Sequence, residues 1–154
     1  MRTLLRLTPL IVMLSLGGCS TPGGSGAVPP FTPVANTKQL MERVIDPAAD
    51  VIWDSVKSVI TETGTKEIAP STSEEWDNVR NGATVLAEAG NLLMIEGRAR
   101  DRDGWIRYAH ALTEAATSAM NAAEAKNTAA VFDAGGNIYK VCAACHARYA
   151  PHLN

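Results

Sequence analysis

Five residues constrain this chain more than any others: Cys142-Ala143-Ala144-Cys145-His146, a C-x-x-C-H. That spacing attaches a c-type haem, with two thiols adding across its two vinyl groups and the adjacent imidazole becoming the proximal iron ligand. In a helix, Cys142 and Cys145 stand three apart and Cys142 and His146 four apart, so all three share one face. Val131, Ile138 and Tyr149 continue that face at spacings built from threes and fours, which turns it toward the core. C-x-x-C also serves dithiol redox proteins and zinc sites. A redox pair calls for a βαβ context, and the chain shows no convincing alternation of apolar and polar residues of the kind a strand needs. A zinc site needs further ligands, and His110 and His152 come without a second C-x-x-C or an H-x-x-x-H. One covalently bound haem c is the expectation.

The N-terminal stretch carries Arg2 and Arg6, then a short apolar run from Leu7 to Leu16 interrupted by Pro9, then Leu16-Gly17-Gly18-Cys19. A basic start, a run well short of the ~20 residues of a spanning helix and small residues before a cut read as an export signal over residues 1–18. Leu-Gly-Gly-Cys resembles the lipobox of bacterial lipoproteins, which implies lipidation of Cys19; ordinary cleavage is the alternative. With Cys19 acylated and two cysteines on haem, no orphan thiol is left in an oxidising compartment. Residues 19–35 are rich in Pro, Gly and Ser and read as a tether. The expected location is the periplasm, held to a membrane by lipid. Ser20 in place of Asp after the cysteine favours the outer membrane by the sorting rule of enteric lipoproteins.

Losing Arg2 and Arg6 with the leader takes the 14 basic residues to 12 against 16 acidic ones, and the formal charge from -2 to -4. No basic patch of the nucleic-acid kind is visible, and nucleic acid is not an expected partner.

Residues 36–154 have the length of one domain. Four segments carry apolar residues at alternating spacings of three and four. The first runs from about Thr37 to Glu62 through Leu40, Met41, Val44, Ile45, Ile52, Val56, Val59 and Ile60, with Pro47 predicting a kink or short break and Gly64 a stop. The second opens on a Thr72–Glu75 capping box and carries Trp76, Val79, Ala83, Leu86, Gly90, Leu93 and Gly97. A polar turn over residues 98–103 follows, with Asp103 as the expected cap of the third. The third carries Trp105, Tyr108, Leu112, Ala115, Ala119 and Ala122, an alanine-rich stripe with room for something bulky or for close helix approach. The fourth runs from about Thr128 to Tyr149, and its Gly135-Gly136 marks either close packing or a local break.

Four amphipathic helices with short connections predict an all-α, antiparallel four-helix bundle. With C-x-x-C-H in the last helix, together with Thr37-Lys38-Gln39-Leu40-Met41 and Asp46-Pro47-Ala48-Ala49-Asp50, the chain resembles the class II c-type cytochromes, the group of cytochrome c′ and cytochrome c-556. The resemblance covers residue 36 to the end. It implies haem near the C-terminal end of the last helix and homodimers formed through the first two helices. It places a ligand methionine at Met41, as in the c-556 branch, and a propionate-pairing basic residue at Arg148; a solvated arginine is the other reading of Arg148. In the cytochrome c′ branch the distal face is open, and Met41 would then merely pack over the iron. Met94 and His110 are minor candidates for the same position. Trp53, Trp76 and Trp105 read as packing.

The expected function is electron transfer between periplasmic redox partners by a membrane-tethered mono-haem carrier with His146 and Met41 as iron ligands. The alternative is a five-coordinate protein that binds NO or CO. No acid, base and nucleophile constellation stands near the motif in sequence, so an enzyme is not expected.

Overall fold

The computed structural model describes residues 31–153. The expected signal segment, the lipidation site Cys19 and most of the tether lie outside the described residues.

Helix begins where Asn36 can cap it. Its carboxamide oxygen accepts from the Gln39 N–H at 2.9 Å while the Gln39 side chain accepts from the Asn36 N–H at 3.1 Å, a reciprocal box that satisfies two free donors. From there α1 (Thr37–Leu40) passes into a π-helical turn (Met41–Ile45) and then α2 (Asp46–Ser55). The wide turn is the form taken by the kink expected at Pro47. Proline lacks an N–H and its ring presses on the carbonyl four residues back; here the Asp46 N–H reaches five residues back to the Met41 carbonyl, and the helix continues past the proline.

The first segment does not run to Glu62. Helix ends at Ser55, Val56 is extended, and β1 (Lys57–Thr61) pairs antiparallel with β2 (Gly64–Ile68), in register from Lys57 opposite Ile68 to Thr61 opposite Gly64. The chain is therefore mostly helical with a small β-hairpin, and the all-α expectation is corrected. Val56, Val59, Ile60, Thr61 and Thr65 are β-branched, restricted in a helix and at ease on a pleated surface. Gly64, at φ +136, closes the turn in a conformation other residues rarely adopt. Val59 and Ile60, expected on a buried stripe, are exposed, Ile60 at 82%.

α3 (Ser73–Leu93) opens on the expected capping box, with Thr72 Oγ1 accepting from the Glu75 N–H and Glu75 Oε2 from the Thr72 N–H. Trp76, Val79, Ala83, Leu86, Gly90 and Leu93 are buried as their spacing predicted. Gly97 falls beyond the helix end, at φ +87. In the polar turn that follows, Arg98 is only 6% exposed. Its Nε and Nη2 donate to the Ala35 carbonyl at 3.2 and 2.9 Å, and Nη1 donates to the Leu92 carbonyl at 3.0 Å. One guanidinium thus holds the segment before α1 against the C-terminal end of α3.

α4 (Gly104–Glu124) is not capped by the Asp103 side chain. Asp101 takes that part, its Oδ1 accepting from the Trp105 and Asp103 N–H groups at 2.9 Å each, because Asp103 lacks the extended backbone that turns a cap side chain over the first turn. The alanine-rich face of α4 serves close helix approach: Thr113 Oγ1 donates to the Ala87 carbonyl of α3 at 3.1 Å, directly over Gly90. α5 (Thr128–Tyr149) runs without interruption through Gly135-Gly136, so the local break is not the outcome. Gly135 is the close-packed one, with Trp53 of α2 against it and Trp53 Nε1 donating to its carbonyl at 3.0 Å.

α2 packs on α3, α3 on α4, α4 on α5, and α5 back on α2. Leu40, Ile52, Val79, Leu86, Val131 and Ile138 fill the centre and are almost wholly removed from water. Among the described residues no helix is long and apolar enough to cross a membrane.

Candidate functional site

α5 puts Cys142, Cys145 and His146 on one wall of a cavity of about 390 Å³, as their three- and four-residue spacing requires. The π-helical turn contributes Met41 to the same cavity from about a hundred residues away. Met41, Ile45, Ala49 and Trp53 recur every four residues and form one ridge along the π-helical turn and α2, all facing this space. α4 closes another side with Trp105, Tyr108 and Leu112, and Leu93 comes from the end of α3. Trp105 is fixed in place by donation from its Nε1 to the Leu93 carbonyl at 2.8 Å. The walls are thus mostly apolar and aromatic, with a few converging polar groups, the usual character of a cofactor site.

Both thiols are free and half-buried. Burial, with the neighbouring Cys142 adding to it, pushes the Cys145 thiol up to about 11. Burial also raises Cys142, and the Asp46 carboxylate raises it further. Thiol–disulfide chemistry needs a thiolate near ambient pH, so this setting disfavours a reactive dithiol. Among the described residues no three His, Cys, Asp or Glu side chains gather as a metal cage. The residues present fit haem: two thiols and an imidazole on one wall, a thioether on the same cavity, and apolar walls for a flat macrocycle.

Arg148 does not line the cavity. It lies at the α5 end with its Nη2 3.8 Å from Asp101 Oδ2 and its guanidinium 5.2 Å from the Tyr149 ring centre. Tyr149 donates its hydroxyl to the same Asp101 oxygen at 2.5 Å. That hydrogen bond, with the backbone N–H of Trp105 next in weight, lowers Asp101 to about 2. The Trp105 and Tyr108 rings meet Tyr149 edge-on at 5.1 and 6.2 Å. Gly104 gives this cluster its room, since a Cβ there would run into Arg148 and Tyr149. The end of α5 is thereby tied to the aromatic wall of the cavity.

Met94 packs against the core without lining the cavity, and His110 and His152 are exposed. Glu42, Asp46, Trp53, Trp105, Tyr108 and Tyr139 line the cavity without having been singled out for it. Trp53 was in reach of the sequence, standing three four-residue steps from Met41, as was Asp46, one such step from Glu42. Comparison with protein-family models, curated proteins and solved structures returns no match to this chain.

Proposed function

We propose that this chain is a mono-haem c-type cytochrome of the class II kind, an antiparallel four-helix bundle that carries electrons between redox partners in the periplasm. The observation that supports it is one apolar cavity lined by Cys142, Cys145 and His146 of α5 together with Met41 of the π-helical turn. Cys142 and Cys145 would hold the group through two thioethers, His146 would be the proximal ligand and Met41 the distal one. Haem supplies a one-electron iron couple, and a thioether ligand favours its ferrous form.

The chain's own residues have separate tasks. Trp105, Tyr108, Leu93 and Leu112 give the cavity apolar and aromatic walls. Glu42 and Asp46 bring negative charge to its lining. Arg148, half-exposed with only its Nη2 toward Asp101 at 3.8 Å, keeps further N–H donors with which it would pair with a propionate. An export signal over residues 1–18 and a lipidated Cys19 would put the protein in the periplasm, held to a membrane through the tether.

The test is the visible spectrum of protein matured in a periplasm with haem-attachment machinery, recorded oxidised, reduced, and reduced with CO. A sharp low-spin reduced spectrum indifferent to CO is expected. A broad high-spin spectrum that shifts with CO would move the function to NO or CO binding. Absence of haem after denaturing electrophoresis would overturn the cytochrome reading altogether.

A further inference from the structure

The outward side of α5 carries an apolar stripe that no other element among the described residues covers. Phe132 is 60% and Tyr139 65% exposed, and Gly136 lies between them with open space where a Cβ would stand. Beside this stripe is a groove of about 230 Å³ between α2 and α5, bordered by Trp53, Val56, Phe132, Gly136 and Tyr139. Contiguous exposed apolar surface marks interaction sites, whereas single exposed apolar residues are ordinary.

The occupant is named by the order of residues about Gly136. At 100° per residue, Phe132 and Tyr139 fall to one side of Gly136 on the helix face, and Asp133 and Lys140 to the other. Phe132 precedes Gly136 by four and Tyr139 follows it by three; Asp133 precedes it by three and Lys140 follows it by four. A twofold axis perpendicular to α5 at Gly136 reverses the helix direction and leaves each residue on its own side. Phe132 then meets Tyr139 of the second copy, and Asp133 meets Lys140, each pair occurring twice, as an isologous contact requires. Among the described residues neither Asp133 nor Lys140 is in an ion pair of its own chain. Lys140 only donates to Asn137 Oδ1 at 3.3 Å. Glycine at the crossing lets the two backbones approach closely.

We propose that the outer face of α5 is the contact between two copies of this chain, packed antiparallel about a twofold axis at Gly136, with the Phe132 and Tyr139 rings over the α2–α5 grooves. This differs from the dimer that the family resemblance implies, which uses the first two helices, and it does not depend on haem. Tyr139 and Ala143 also line the large cavity, so the contact borders it.

The test is sedimentation equilibrium of the full chain, with whatever lipid and haem it carries, in density-matched detergent. The wild-type chain is expected to show a monomer–dimer equilibrium. Asp133→Lys and Lys140→Asp each set two like-charge pairs across the axis and should weaken self-association about tenfold or more. Mixed in equal amounts, the two variants pair opposite charges at both places and should regain the dimer. Because all four positions are exposed, far-UV circular dichroism should be unchanged in every variant. A monomer at all concentrations would overturn the proposal, as would a dimer indifferent to both substitutions or one not regained on mixing. A monomer whose binding to phospholipid vesicles is lost on Phe132→Ser would assign the face to a membrane surface instead.

Discussion

Alanine in place of glycine should have opposite effects at two positions in long helices. At Gly90 of α3, a Cβ would stand 2.8 Å from the Ala109 carbonyl oxygen and 3.3 Å from the Thr113 N, and would overlap Thr113 Oγ1. Thr113 can rotate, giving up its bond to the Ala87 carbonyl at a cost of about 1 kcal/mol. The Ala109 carbonyl cannot rotate, so α4 must retreat by about 0.6 Å to bring 2.8 Å to an ordinary 3.4 Å. Overpacking of this kind costs roughly 1–3 kcal/mol, against about 1 kcal/mol returned by the better helix former. Gly90→Ala should therefore lose roughly 1–3 kcal/mol. At Gly136 of α5 a Cβ meets nothing within 4 Å, and Gly136→Ala should gain up to about 1 kcal/mol. Urea unfolding followed by far-UV circular dichroism reads both, at dilution so that contact between copies does not contribute. A Gly90→Ala variant as stable as the parent would refute the α3–α4 contact described above, and a destabilised Gly136→Ala would refute the openness of α5.

Three further perturbations follow from particular contacts. Arg98→Ala leaves the Ala35 and Leu92 carbonyls without their buried donor, and should cost about 1–3 kcal/mol by urea unfolding; a change below half of that would mean water replaces the guanidinium. Glu75 is held at about 2, against an ordinary 4.5, chiefly by the backbone N–H groups of Ser71 and Thr72. A carboxyl lowered by folding stabilises in full above its ordinary value and loses that contribution as pH falls from about 4.5 toward 2. Glu75→Gln should accordingly show a flatter melting temperature across that window, and parallel curves would exclude Glu75 as a source of acid sensitivity. Met41→Ala should turn a six-coordinate low-spin iron spectrum into a high-spin one, and an unchanged spectrum would clear Met41 of ligation.

The features legible in the sequence were those whose partners lie within a turn or two. The Thr72–Glu75 box closes between atoms three residues apart, and the C-x-x-C-H lies on one face by helix periodicity alone. The stripe from Trp76 to Leu93 was readable for the same reason. The hairpin was not, because Val56, Val59 and Ile60 satisfy a helical spacing as well as a strand's β-branched preference. The choice between them is made by pairing residues up to eleven apart, from Lys57 to Ile68. Asp101 and Asp103 are equivalent as local caps, and what distinguishes them is Asp103's own backbone conformation and the hydroxyl that Tyr149 places on Asp101 from 48 residues away.

Arg98 shows the same division more sharply. In a run of charged residues it reads as solvated, yet it is buried because chain packing brings the Ala35 and Leu92 carbonyls to its guanidinium. The sequence by itself determined the helical stretches from Thr72 onward, the Thr72–Glu75 cap and the three chemical groups on α5, since periodicity and short-range hydrogen bonding are properties of local chain. Only the tertiary structure decided that Met41 shares a cavity with Cys142, Cys145 and His146, that Arg148 lies beside Asp101, and that Phe132, Gly136 and Tyr139 are left uncovered by the other described residues. Those are consequences of which helix faces close on one another, and that is set by packing summed over the whole core.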